Sequence, residues 1–279
     1  MKNFMLLIAF FIGLLITFYP VISKYWNAYR AQQLNTEYDR AVVTLGKDSI
    51  VESFEAAKAY NDQHICNVII DAFGENDDEY ILTHPYDTLL NPSGNEVMGH
   101  LEIPKIRVDL PIYHGIGAST LEKGIGHIEG TSLPIGGKGT HSVLCGHSGL
   151  PNMKLLSDLD QVKEGDQFYL HVLDDTLAYE VDQILTVLPD ETDSLAIEPD
   201  EDLVTLVTCT PYAVNTHRLL VRGHRVPYVE EEREAETPGL FDRLRMMNLE
   251  EYLLAGGLSI FLILLIVMII RSRRQEKKQ

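Results

Sequence analysis

Three side-chain types in the second half of the chain could together move an acyl group. Cys209 closes the run Thr205-Leu206-Val207-Thr208-Cys209-Thr210-Pro211-Tyr212, and Arg218 follows nine positions later. The thiolate is the reactive form of cysteine, and a neighbouring cation both favours it and steadies the negative charge that grows on an attacked carbonyl. A branched, apolar run closed by a Pro-marked turn reads as a strand that lifts the thiol to the rim of a barrel. An arginine early in the next strand can return to that rim. Taken alone, a cysteine is more often a small buried apolar residue, so the surrounding run is what singles out Cys209.

Acyl transfer also needs a group to protonate a departing amine, and imidazole suits this near neutral pH. Ten histidines are present, so counting cannot choose among them. His147 stands in Leu144-Cys145-Gly146-His147-Ser148-Gly149-Leu150-Pro151, where a strand runs into a Gly-rich turn and a ring can face a cleft. His141, at the other end of that strand, reads as structural. His217 adjoins Arg218, but strand alternation turns it to the opposite face. Cys145 is the rival nucleophile, since positions two apart share a face and set it beside His147; its own segment offers no comparable arginine.

Short segments rich in branched and aromatic residues must position these groups. They fall at residues 101–103, 106–112, 142–145, 168–173, 178–188, 203–208 and 218–226, bounded by Gly, Pro and Asp. Many short strands with few helices imply a closed barrel. Short helices are expected at residues 119–123 and 152–159, the second with Leu155, Leu156 and Leu159 on one side. Residues 24–70 read as two helices, with Ser49-Ile50-Val51-Glu52 as a capping box before Phe54, Ala57 and Tyr60. Residues 71–94 read as a long acidic loop and residues 229–251 as an acidic linker.

The ends of the chain are apolar. Residues 4–22 and 252–270 carry no charge, and each is long enough to cross a bilayer core of about 30 Å. The second run is followed by Arg271, Arg273, Arg274, Lys277 and Lys278, which hold that tail in the cytoplasm. Two spans then return the N-terminus to the same side and leave residues 23–251 facing outward. No small-x-small site follows the first run, so it reads as a retained anchor rather than a cleaved signal.

The net charge is −18, and between the runs 17 basic residues face 40 acidic ones, which excludes a nucleic-acid partner. Three cysteines, Cys66, Cys145 and Cys209, are too few and scattered for a disulfide framework. No CxxC or HExxH pair suggests a metal, and acyl transfer through a thiol needs no cofactor.

The segments Thr205-Leu206-Val207-Thr208-Cys209 with Arg218, and Gly146-His147 with Leu150-Pro151, resemble the signature segments of sortases. Val97-Met98-Gly99-His100-Leu101-Glu102-Ile103-Pro104-Lys105-Ile106 and Leu110-Pro111-Ile112-Tyr113-His114-Gly115 resemble the pilus-assembling class C branch. The resemblance covers most of residues 50–227. It implies a mainly β fold: an eight-stranded sortase-type β-barrel with N-terminal helices, flanked by two transmembrane helices. The expected order is an anchor at 1–23, helices at 24–70, a lid-like loop at 71–94, the catalytic barrel at 95–228, a linker at 229–251, a span at 252–270 and a basic tail at 271–279.

The implied activity is that of a cysteine transpeptidase on the outer face of a Gram-positive cell. Cys209 attacks the Thr–Gly bond of an LPxTG-like signal, Arg218 steadies the oxyanion, and His147 serves as acid and base. A lysine amine of an acceptor pilin resolves the thioacyl enzyme. Class C sortases also carry a lid with an Asp-Pro-aromatic motif; Asp71-Ala72-Phe73 resembles it with alanine in place of proline, so Asp71 and Phe73 are the lid candidates. His84-Pro85-Tyr86 ranks below, because it lacks the acidic residue. Two further departures bear on substrate preference and redox behaviour: Ser148 stands where arginine often follows the histidine, and Cys145 where a hydroxyl is common. The alternatives are a sortase that anchors proteins to peptidoglycan and a non-enzymatic membrane-tethered surface protein.

Overall fold

Apolar residues at every second position give each strand one face to bury, and eight such strands close on one another in the computed structural model. It describes residues 2–63, 85–148, 150, 153–231, 233, 256 and 257. The strands are β1 (Val97–Ile103), β2 (Val108–His114), β3 (Ile125–His127), β4 (Thr140–Cys145), β5 (Gln167–Val172), β6 (Asp175–Val187), β7 (Asp202–Thr210) and β8 (His217–Val226). Around the barrel the order is β1-β2-β3-β4-β7-β8-β6-β5, with β5 pairing back to β1. The β2–β3 and β4–β7 pairs are parallel and the others antiparallel.

The interior collects alternate residues: Leu101 and Ile103 of β1, Leu110 and Ile112 of β2, Leu144 of β4, Val204 and Leu206 of β7, and Leu219 and Val221 of β8. Phe168 and Tyr179 stack inside with centroids 5.5 Å apart. Gly223 lies so close to this pair that a Cβ there would come within 2.6 Å of the Phe168 ring. The long strand β6 serves two neighbours because a bulge between Val181 and Gln183 bends it, pairing its start with β5 and most of its length with β8.

A second apolar cluster, Leu121, Ile128, Val143, Cys145, Leu195, Val207 and Leu220, covers the outward faces of β4, β7 and β8. Strand β7 is therefore buried on both sides, which is why Leu203 to Thr208 reads as a nearly continuous apolar run.

Helix α1 (Lys2–Thr44) lays Tyr38 and Val42 against Val97 and Tyr113 on the outer face of β1 and β2. The Tyr38 hydroxyl donates to the Met98 carbonyl and accepts the Leu173 N–H, both at 2.9 Å. Leu173 sits at φ 53°, a conformation a leucine rarely takes, in the tight turn between β5 and β6. Helix α2 (Lys47–Gln63) buries Ala57, Tyr60 and Asn61, and the Asn61 amide bonds both the N–H (2.7 Å) and the carbonyl (3.2 Å) of Leu133.

A carboxylate–imidazole cluster reinforces this wall. His100 and His171, opposite each other on β1 and β5, stack with centroids 4.3 Å apart. His100 contacts Asp109 (2.9 Å) and Asp39 of α1 (3.5 Å); His171 contacts Glu102 (3.0 Å), which also accepts from Arg233 (2.9 Å).

Several expectations change. Helix α2 starts at Lys47, with the Ser49 N–H bonded to Gly46 rather than Ser49 capping the helix. Residues 153–161 form turns and a short 3₁₀ segment (Leu159–Gln161) rather than an α-helix, because Leu155 takes φ 43°; Leu155, Leu156 and Leu159 are nonetheless all buried. The expected helix at residues 119–123 is the single turn Ala118–Leu121. Strand β3 is an addition.

The chain divides into two units, Tyr19–Thr237 and Met1–Phe18 with Pro238–Gln279. The first apolar run falls within α1, though most of its side chains are outside those described; among the described residues no helix is long and apolar enough to cross a membrane. The second run lies outside the described residues apart from Gly256 and Gly257.

Candidate active site

Strand register decides which side chains meet. Cys209, the penultimate residue of β7, pairs directly with Arg218, the second of β8. Residues so opposed point to one face with Cβ atoms roughly 5 Å apart. That face is the outward one, because the alternating neighbours Thr208 and Leu219 point the other way and Leu219 joins the interior. The thiol is thus on the barrel's outer wall near the end of β7, rather than at its open rim.

His147 arrives from the other side of β7. Cys145 pairs with Val207 in the parallel β4–β7 ladder. The alignment continues past the end of β4, since Gly146 donates its N–H to the Val207 carbonyl (3.0 Å) and Thr208 donates its hydroxyl to the Gly146 carbonyl (2.7 Å). Carried one more step, that register sets His147 alongside Cys209, one strand spacing of roughly 4.8 Å away. The His147 carbonyl accepts the Leu156 N–H at 3.1 Å, which ties the segment to the buried leucine turn.

The turn between β7 and β8 shapes the third position. Ala213 and Asn215 take φ 63° and 61°, and the carbonyls of Asn215 and His217 each accept from Nη1 of Arg218 at 3.2 Å. The guanidinium is therefore oriented by backbone. Both Cys209 and Arg218 are 8% exposed, enough to meet a substrate in a mostly dry setting. Burial pushes the His147 imidazole below its ordinary pKa, and the negative charge of Glu122 pulls partly against it.

Cys145 shares this outward face but is wholly buried. A two-residue offset along β7 and one strand spacing put its Cα about 8 Å from that of Cys209, beyond the roughly 7 Å a disulfide tolerates. His141 uses both ring nitrogens inside the protein, Nδ1 to the Ala196 carbonyl (2.9 Å) and Nε2 to the Thr205 hydroxyl (2.8 Å). Asp71 and Phe73 lie outside the described residues, as does Cys66. Of the lower-ranked lid segment, His84 lies outside the described residues, and Tyr86 is 1% exposed, its hydroxyl 2.7 Å from Nδ1 of His127 and accepting the Gly115 N–H at 3.1 Å.

Two further residues bear on His147, Glu122 and Thr208. Glu122 follows a one-turn helix far from His147 in the chain, and no spacing marks it. Thr208 stood in the signature run without a role of its own; its hydroxyl faces away from the thiol and bonds the segment that carries His147. Among the described residues no group of three or more His, Cys, Asp or Glu side chains is arranged to hold a metal ion.

A thiol, an imidazole and a guanidinium on one outward wall match the requirements of acyl transfer. The Sortase domain family matches residues 101–226. The crystal structure of sortase C-1 from Actinomyces oris is 47% identical, covers 65% of this chain and 99% of its own, and superposes with a TM-score of 0.61. Sortase C of Streptococcus pneumoniae is 42% identical over 70% of this chain and 97% of its own, with a TM-score of 0.62. Sortase D of Bacillus subtilis is 30% identical over 138 residues, 48% of this chain and 67% of that protein. The chain therefore belongs to the sortase family of cysteine transpeptidases, and within it stands with the sortase C proteins.

Proposed function

We propose that this chain is a membrane-anchored pilin-joining sortase. The observation that carries the reading is the register that opposes Cys209 to Arg218 while bringing His147 along the other side of β7. Cys209 sulfur attacks the threonine carbonyl of an LPxTG-like signal, and Arg218 donates to the oxygen as it gains negative charge. His147 hands its proton to the departing glycine amine, leaving a thioester on Cys209. It then accepts a proton from an incoming lysine amine, whose attack forms an isopeptide bond and expels Cys209 as the thiolate.

The pilin assignment draws on the likeness to Streptococcus pneumoniae sortase C, whose structure is described in terms of pilin substrate specificity. Membrane anchoring draws on the uncharged runs at residues 4–22 and 252–270 and the basic tail. Asp71 and Phe73 are assigned as lid residues on sequence resemblance alone.

The full-length protein in detergent, given an LPxTG peptide and a choice of acceptors, tests this reading. A conjugate to a pilin fragment that depends on its lysine is expected. A conjugate formed only with a peptidoglycan precursor amine would instead make the chain a wall-anchoring sortase.

A further inference from the structure

Helix α1 presents two opposite faces within residues 19–44. Ala31, Asn35, Tyr38 and Val42 are buried. At about 100° per residue they fall in an arc of about 60°, the one that docks on the barrel. Tyr19, Ile22, Trp26 and Tyr29 fall in an arc of about 80° on the far side, with Tyr25 at its edge. These five side chains are 54–67% exposed. Lys24 and Asn27 fall on the docking side of this stretch, Ser23 lies between the two faces, and Arg30 stands about 20° beyond Tyr19 at the flank of the aromatic face, so the helix here is amphipathic with an aromatic half.

So many large apolar side chains on one exposed face call for a partner. Three observations favour lipid over a second protein copy. The face is built of Tyr and Trp, whose apolar rings with a polar edge settle at the membrane–water boundary, rather than of the leucines and small residues of a helix–helix seam. It continues directly from the uncharged run at residues 4–22. Arg30 supplies a cation at its flank, suited to phosphate.

We propose that residues 19–29 are an interfacial anchor whose tyrosine and tryptophan rings lie in the phospholipid headgroup layer, with Arg30 against lipid phosphates. This rests on the membrane-anchored reading above. Ala31, the first residue docked on the barrel, is only about 3 Å further along the helix than Tyr29. Docking of α1 on the β1–β2 side of the barrel therefore begins close to the headgroup layer.

Trp26 is the only tryptophan, so its fluorescence reports this segment alone. The full chain is reconstituted into phosphatidylcholine–phosphatidylglycerol vesicles, checked by flotation, and read with spin-labelled lipids carrying the quencher at the headgroup, near the glycerol or near the chain end. The expected result is flotation with a blue-shifted emission, quenched most by the labels at the headgroup and glycerol. Flotation with emission quenched by aqueous iodide and by none of the lipid labels overturns this inference while leaving the anchoring reading intact. Strongest quenching from the chain end also overturns it, by placing Trp26 in the hydrocarbon. Failure to float overturns the anchoring reading itself, and this inference with it.

Discussion

Replacing His100 with glutamine is expected to remove a pH-dependent part of the fold's stability. Burial pushes the His100 imidazole down, but Asp109 and Asp39 together outweigh it and hold its pKa up to about 9, against an ordinary 6.5. Between those values the folded protein keeps a proton that the unfolded chain has released. The stabilisation is therefore complete below pH 6.5 and is lost as pH rises towards 9. At 1.36 kcal/mol per pH unit this is at most about 3 kcal/mol, and screening at the half-exposed Asp39 lowers it to about 1–3 kcal/mol. Glu102, His171 and Arg233 adjoin the same stack, so the informative quantity is the wild-type minus variant difference. Urea unfolding followed by circular dichroism at pH 6, 7, 8 and 9 measures it. Wild type should lead His100→Gln at pH 6 and lose that lead by pH 9; a lead that is constant, or widens with pH, would refute the reasoning.

Other perturbations separate the fold from the chemistry. Tyr38→Phe strips one hydroxyl that serves both the Met98 carbonyl and the Leu173 N–H, so unfolding measurements should show a loss of about 2–4 kcal/mol; a loss under half a kcal/mol would mean water replaces it. Gly223→Ala drives a methyl into the Phe168 ring and is expected to cost about 1–3 kcal/mol in the same assay. Arg218→Ala should lower kcat about a hundredfold to a thousandfold with the circular dichroism spectrum unchanged, as for loss of an oxyanion donor; a rate near wild type would remove Arg218 from the chemistry.

The barrel was legible where strands carry their own signal. Thr205 to Thr208 of β7 and Leu219 to Val221 of β8 are branched or apolar at nearly every position because both faces are buried, and such runs stand out against polar turns. Strand β3 was not legible: it is three residues long, and its central Gly126 is there because a Cβ would meet the Gly115 carbonyl at 2.4 Å. The leucine turn at residues 153–161 misled for a different reason. Its apolar spacing is helical, yet the leucines enter the core from separate turns set by Leu155 in a left-handed conformation, which periodicity cannot register.

For the site, the thiol and guanidinium were legible together because a short turn between antiparallel strands forces nearby residues into register. His147 depends on a parallel pairing across some sixty residues of chain, and the hydroxyl of Thr208 that extends that pairing leaves no local mark in the sequence.

The most direct test of the central claim is mass spectrometry of the protein incubated with an LPxTG peptide, comparing wild type, Cys209→Ala and Cys145→Ala. A thioacyl adduct that survives in Cys145→Ala and is lost in Cys209→Ala is expected. An adduct that follows Cys145 instead, or persists without Cys209, would contradict it.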